Sequence, residues 1–272
     1  MTRNRTLMIG ASCVIFSVFL AVLSLIWTPY DPLEMNPELS LTGPSSMHWF
    51  GTDENGRDIL SSIIVGSRAT LMTGILAVII CMVIGVSVGI ATSVAPKWVE
   101  MPAIFGIDIV LALPTVLFAI VLASVYGPST LTAVFAIGIA LSASVAQVTR
   151  REVVVVLMAD YVMAARASGC GTWRIIRKHI LPNIRASLLV QASGACAIAI
   201  LAESTLSYLG LGTTPPAPSW GRMMASLQPY LLINPIFPLW PGLAIVITVL
   251  GFNLLGDGLR ESLDPTLRQS EK

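Results

Sequence analysis

Six long apolar blocks, near 7–28, 69–95, 103–126, 130–149, 184–210 and 239–257, alternate along the chain with shorter polar stretches. Each approaches the roughly 20 residues that a helix needs to cross the hydrocarbon core of a bilayer. The pattern predicts an all-α polytopic membrane protein of about six transmembrane helices. The first block follows the basic stretch MTRNR and is about twice as long as the apolar region of a secretory leader. No A-x-A site follows it, so an uncleaved anchor is expected.

Charge fixes the expected orientation. With the amino terminus in the cytoplasm, the connections 96–102 and 150–183 and the carboxyl terminus fall on the same side. Of the 16 basic residues, only Arg57, Arg68 and Arg222 then lie outside. Arg3, Arg5, Lys97, Arg150, Arg151, Arg166, Arg174, Arg177, Lys178, Arg185, Arg260, Arg268 and Lys272 lie inside, as the positive-inside rule demands. The division expected is an anchor helix and outer loop over 1–68, a five-helix core over 69–265, and a tail over 266–272. The outer stretch 29–68 is rich in proline and carries Asp31, Glu34, Glu38, Asp53, Glu54 and Asp58. Arg57 is expected to pair there with Asp53 or Asp58.

The 272 residues are 55% hydrophobic and 11% charged, with mean hydropathy +0.81, which excludes a water-soluble fold. A net charge of +1 gives no support to nucleic-acid binding. Cys13, Cys81, Cys170 and Cys196 stand singly, and His48 and His179 are far apart, so no metal site is expected. Glycine never precedes Lys97, Lys178 or Lys272, so the chain has no P-loop, and nucleotide chemistry must sit on another polypeptide.

The longest inner connection, 159–183, reads as two short helices joined by glycine. Asp160 can cap the first, Gly169 and Gly171 break it, and Thr172 can cap the second. In the second, Trp173, Ile176 and Ile180 form an apolar stripe opposite Arg174, Arg177 and Lys178. Pro182 ends the helix, and the chain enters the fifth span at Ile184. Two readings are open: insertion into a partner's groove, or an amphipathic hairpin lying on anionic lipid headgroups.

Within the spans, Glu203 is an ionisable group in the outer half of the fifth. It suits either a polar lining or gate of a translocation path, or a hydrogen bond to Ser204, Ser207 or a neighbouring helix. Asp108 and Pro114 belong to the third span, where the proline is expected to kink a helix that could line the same path. Gly85 and Gly89 form a G-x-x-x-G that would permit close helix approach. In the outer connection 211–238, Pro215, Pro216 and Pro218 stiffen the chain before Ser219, which can cap a helix holding Trp220, Arg222 and Met223.

The spacing A-A-x-x-x-G, with L-P twelve residues beyond the glycine, resembles the EAA loop of ABC-importer permeases. HWFGTDENGRD at 48–58, LGLGTTPPAPSWG at 209–221 and FNLLGDGLRESLDP at 252–265 resemble signatures of the dipeptide, oligopeptide and nickel branch, in its C-type subunit. Met163 departs from the motif's glutamate. His179 replaces its isoleucine, as in the H-x-L-P-N of the peptide branch.

The resemblance implies that Ala164, Ala165, Gly169, Leu181 and Pro182 belong to a coupling helix that docks on an ATPase. Asp160, Tyr161, Arg166, Trp173 and His179 are expected on the same surface. It further implies that Pro215, Pro216, Trp220 and Arg222 meet an extracytoplasmic substrate-binding protein, with membrane lipid as the alternative contact of Trp220. The expected assembly has a homologous permease partner, two ATPase subunits holding ATP and magnesium, and no cofactor on this chain. It sits in a bacterial or archaeal cytoplasmic membrane and imports di- or oligopeptides. A nickel-chelate or other small-solute importer is the alternative. A stand-alone secondary transporter would show several intramembrane acids or internal repeats, and an enzyme would show a motif such as H-E-x-x-H; neither pattern is present.

Overall fold

In the computed structural model, residues 3–263 are described. The all-α fold anticipated from the pattern is the one observed. The long helices are α1 (Arg3–Leu23), α2 (Ile59–Val94), α3 (Lys97–Ala112), α4 (Thr115–Tyr126), α5 (Thr130–Leu157), α8 (Leu181–Tyr208) and α10 (Ile236–Leu263). Short helices α6 (Asp160–Ala167) and α7 (Thr172–Ile175) lie between α5 and α8, and α9 (Trp220–Leu227) lies between α8 and α10.

Glycine sets the contact between α2 and α5. A Cβ on Gly85 would stand 2.6 Å from that of Val145 and 2.7 Å from the Ser142 carbonyl; one on Gly89 would meet Ala146 and Thr149 at 2.7 Å. Gly138 of α5 reciprocates, lying 2.9 Å from the Ala77 carbonyl by the same measure. The G-x-x-x-G of α2 is thus an interface, and in lipid such contact holds helices together by packing rather than by expulsion of water.

Because Ala77, Gly85 and Gly89 meet Gly138, Val145 and Thr149 in ascending order, α2 and α5 run parallel. The segment between them must therefore cross the bundle once in the opposite sense. α3 and α4 make that crossing as one broken span, bent by 90°. The break falls at Leu113–Pro114, where Leu113 adopts the extended backbone (φ −92°, ψ 127°) that a following proline imposes. The expected kink at Pro114 is this break.

α8 runs antiparallel to α2, with Gly74 against Ile200 near one end and Ile90 near Ile184 at the other. α1 runs antiparallel to α10, with Gly10 against Leu254 and Leu255 and Leu7 against Gly258. The Ser17 hydroxyl lies 2.7 Å from that of Thr248 in the same seam.

Counting α3 and α4 as one, six crossings result among the described residues, and they gather the start of α1, the α2–α3 turn, the 158–180 segment and the end of α10 at one end of the bundle. That basic end also carries the Glu100–Arg150 ion pair. The far end holds residues 24–58, 127–129 and 209–235, including Arg57 and Arg222, and Arg68 of α2 bonds to Ser24 there.

Several expected boundaries move. α2 begins at Ile59 rather than 69, because Asp58 caps it by accepting the Ser61 N–H at 2.7 Å, so the division proposed at residue 68 falls inside a helix. The anchor α1 is no separate unit, since its Gly10 face packs directly on α10. The tail 266–272, with Arg268 and Lys272, and the last two residues of the 252–265 block lie outside the described residues.

Gly85→Ala is expected to lower the melting temperature of the detergent-solubilised protein, the overpacking cost of about 1–3 kcal/mol exceeding the gain in helix propensity. Gly194→Ala, where no atom lies within 4 Å of the added carbon, is expected to leave it unchanged or raise it. Equal effects of the two would contradict the close-contact assignment.

Candidate functional site

Three places in the chain were expected to carry function: the 159–183 segment, the polar residues of the spans, and the far-end loops. The first is built on a small apolar platform. Val153 of α5, Val162 of α6, Ile175 of α7, Ile180 and Ile184 are buried together, which ties the segment to the ends of α5 and α8.

α6 follows α5 after two linking residues, Met158 and Ala159, and Ala159 rather than Asp160 is its cap. Asp160 instead occupies the first turn, where a carboxylate complements the helix dipole. The helix closes at Gly169, whose φ of +81° lies in the left-handed region. The Gly169 N–H bonds to the Arg166 carbonyl (2.9 Å) and the Cys170 N–H to the Ala165 carbonyl (3.0 Å), a Schellman closure. Gly171, by contrast, has an ordinary extended backbone (φ −67°) and is itself the cap of α7, a role expected of Thr172.

Pro182 does not end the helix. A π-helical turn over Ile176–Ile180, in which the Leu181 N–H reaches the Ile176 carbonyl, absorbs the proline, and helix runs on from Thr172 to Tyr208. Near the break, Asn183 Nδ2 donates to the His179 carbonyl at 2.6 Å and to the Tyr161 hydroxyl at 3.2 Å. The π turn also shifts the phase of the helix. The buried stripe is Ile175, Ile180 and Ile184 rather than Trp173, Ile176 and Ile180, and Trp173 is 73% exposed.

The surface that remains consists of Tyr161, Met163, Ala164, Arg166, Gly169, Trp173, Arg174, Arg177, Lys178, Leu181 and Pro182, with Ala165 and His179 half-buried. Small residues and an exposed indole are thereby flanked by cations. The expected coupling residues are therefore contiguous; Asn183, which sequence reading passed over, joins α6 to the π turn.

The polar residues expected along a path are not brought together. Asp108 lies exposed on α3, whereas Glu203 is fully buried in α8. Glu203 Oε1 accepts hydrogen bonds from Ser207 (2.7 Å) and Thr213 (3.2 Å), and the Ser207 hydroxyl accepts the Thr213 N–H at 3.0 Å. Thr70 of α2 and Ser204 stand beside the same carboxyl, whose Oε2 has no hydrogen-bond partner among the described residues. In this conformation Glu203 presents no surface to a path. It ties the loop after α8 to the helix through Ser207, one of the partners anticipated for it, and Thr213, which was not.

At the far end, Ser219 caps α9 as expected, accepting the Arg222 N–H. Pro215, Pro216 and Ala217 are exposed and Arg222 is half-buried. Trp220, however, has no exposed surface: its Nε1–H donates to the Ile63 carbonyl at 2.9 Å within a core of Ile59, Met223, Leu227 and Phe237. It can touch neither a docked protein nor lipid headgroups, and it serves as the anchor that seats α9 on α2.

The 48–58 turn also differs from expectation. Asp58 pairs with His48 (2.9 Å) and accepts from Ser61, while Asp53 accepts the backbone N–H groups of Asn55 and Arg57 at 2.8 and 2.9 Å. Neither forms the anticipated ion pair with the Arg57 guanidinium. Burial raises the Asp53 carboxyl above its usual pKa, against the pull of those N–H groups and of the Arg57 charge.

A family model described as binding-protein-dependent transport system inner membrane component matches residues 82–269. The chain is 36% identical over 266 residues to the dipeptide transport system permease protein of Alkalihalophilus pseudofirmus, covering 98% of this chain and 88% of that one. It is 37% identical over 273 residues to the dipeptide permease of Escherichia coli K12, covering 98% and 91%. With the glutathione transport system permease of Pectobacterium atrosepticum the identity is 38% over 226 residues, covering 83% and 75%. Among solved structures, a chain of the MetNI methionine ABC transporter in an inward-facing conformation aligns with a TM-score of 0.64 at 16% identity, over 76% of this chain and 98% of that one, a likeness of fold.

Glu203→Leu is expected to cost about 1–3 kcal/mol by stranding the Ser207 and Thr213 hydroxyls, and to open the 209–219 loop to proteolysis. Glu203→Gln retains an acceptor at Oε1 and should behave nearly as wild type in both measurements. A Gln variant as fragile as the Leu variant would contradict the buried-acceptor role.

Proposed function

The chain belongs to the family of binding-protein-dependent transport system inner membrane components, and from that membership we propose that it is the C-type permease subunit of an ATP-driven importer of small peptides. The peptide substrate is supported by the relatives' names, dipeptide transport in two and glutathione transport in a third. The observation that carries the reading is the projecting 159–180 segment, a short helix closed at Gly169 and seated on the ends of two spans. It is the coupling element, and its groove is on a separate ATPase.

The sequence has no P-loop, so ATP and magnesium belong to two such ATPase subunits. The basic end then faces the cytoplasm, in keeping with the positive-inside rule, and the far end faces the binding protein. Pro215, Pro216 and Arg222 form part of the docking surface there. A homologous permease completes the pair.

Transmission follows from rigidity. Force applied to α6 passes through Val162 to Val153 and Ile180, and so to α5 and α8. The 28 residues of α8 span about 40 Å at about 1.5 Å per residue. At its far end Glu203 and Ser207 hold Thr213 of the outer loop. Closure of the ATPases would thus rock α8 and move the binding-protein surface with it. The chain transmits force and makes or breaks no covalent bond.

Gly169→Pro tests the coupling role, because proline is locked near φ −65° and cannot adopt +81°. The variant should reach the membrane in normal amount and fail to co-purify with the ATPase subunits. Undiminished co-purification would contradict the assignment.

A further inference from the structure

We propose that Arg57 and Arg222 form a carboxylate-binding pocket at the far end of the bundle, which takes an acidic side chain of the docked binding protein. The inference rests on the proposed importer reading and adds a specific chemistry to its outer surface.

The pocket is a cleft of about 110 Å³ between two separately built walls. One wall is the 53–57 turn; the other is Pro216–Pro218 with the first turns of α9, including Arg222 and Ser226. Both guanidinium groups line it. The Arg57 guanidinium forms no hydrogen bond or ion pair among the described residues, although its Nε is enclosed by the protein and not open to the cleft. The hydrogen bond of Arg222 Nη1 to the Ala217 carbonyl is long, at 3.5 Å.

Asp53 and Glu54 also line the cleft, and the Arg57 charge acts on Asp53, yet neither acid forms an ion pair with a guanidinium. Asp53 Oδ1 is engaged by the N–H groups of Asn55 and Arg57. Asp58 is engaged by His48 and Ser61, and Glu54 lies beside the Tyr230 hydroxyl. Burial, and then the like charge of Arg57, lower the pKa of Arg222, so the pair stands in mutual repulsion that an anion would relieve. Planar guanidinium groups match a carboxylate with paired N–H donors, a geometry that lysine does not offer.

The cleft's place favours a protein side chain over a transported solute. Its walls are loop and α9 residues, with Ile59 and Ser62 from the first turn of α2, and they include exposed Pro216 and Ala217. A docked protein reaches this rim directly. Charge pairs at such a site act through association rate and salt dependence as well as affinity.

The test uses the intact transporter in nanodiscs with its binding protein. Affinity is measured across a salt series for wild type, the double variant Arg57→Gln/Arg222→Gln, and the charge-retaining Arg57→Lys/Arg222→Lys, each checked for unchanged melting temperature. The Gln variant should bind roughly tenfold more weakly at low salt, with a flattened salt dependence. The Lys variant should keep the salt dependence and lose part of the affinity. If the Gln variant binds with wild-type affinity and salt slope, or loses affinity with the slope intact, the carboxylate pocket is overturned while the importer reading stands. If wild type itself shows no binding, the docking reading fails first.

Discussion

The close approach of α2 and α5 is the constraint from which the rest of the architecture follows. Gly85, Gly89 and Gly138 remove side chains where the two backbones meet, and the contact order forces the helices to run parallel. Parallel neighbours need a crossing between them, which α3 and α4 supply despite the 90° break at Pro114. With that crossing in place the count is six, and the described termini share an end with the 159–180 segment. Had the two helices been antiparallel, the α3–α4 pair would have been a re-entrant loop, and the segment would have emerged among the proline-rich loops.

Buried polar groups then connect the two ends. In lipid an unsatisfied polar atom has no water to turn to, so each bond made inside the bundle holds a particular arrangement. Glu203 holds the loop after α8, the Trp220 indole holds α9 to the Ile63 carbonyl, and Asp58 holds the start of α2 to His48. At the basic end the task falls to apolar packing, with Val162, Ile175 and Ile180 seating the projecting segment on α5 and α8. A motion imposed at one end is therefore delivered to the other through a continuous helix from Thr172 to Tyr208.

Most of this was legible in the sequence where one residue type dictates one outcome. Apolar length marked the spans, Gly169 marked the left-handed closure, Ser219 the cap of α9, Pro114 the break, and Gly85 and Gly89 the interface. What was not legible depended on partners distant in sequence or on helix phase. A π turn has no composition of its own, so Pro182 read as a stop and Trp173 as aligned with Ile176 and Ile180. Trp220 looked amphipathic until Ile59, Ile63 and Phe237 closed around it. The start of α2 was hidden because Ser61, Ser62 and Ser67 read as loop; all three are buried. Asp58 and Arg57 suggested an ion pair that His48 pre-empted.

The account is tested most directly by asking which side of the membrane two positions occupy. In a background without the native cysteines, Ala217→Cys and Ala164→Cys would be exposed to an impermeant maleimide, on intact cells and on inverted vesicles stripped of ATPases. Position 217 should react only on intact cells and position 164 only on the vesicles. Reaction of both from the same side would contradict the six-crossing arrangement and, with it, the coupling role of the 159–183 segment.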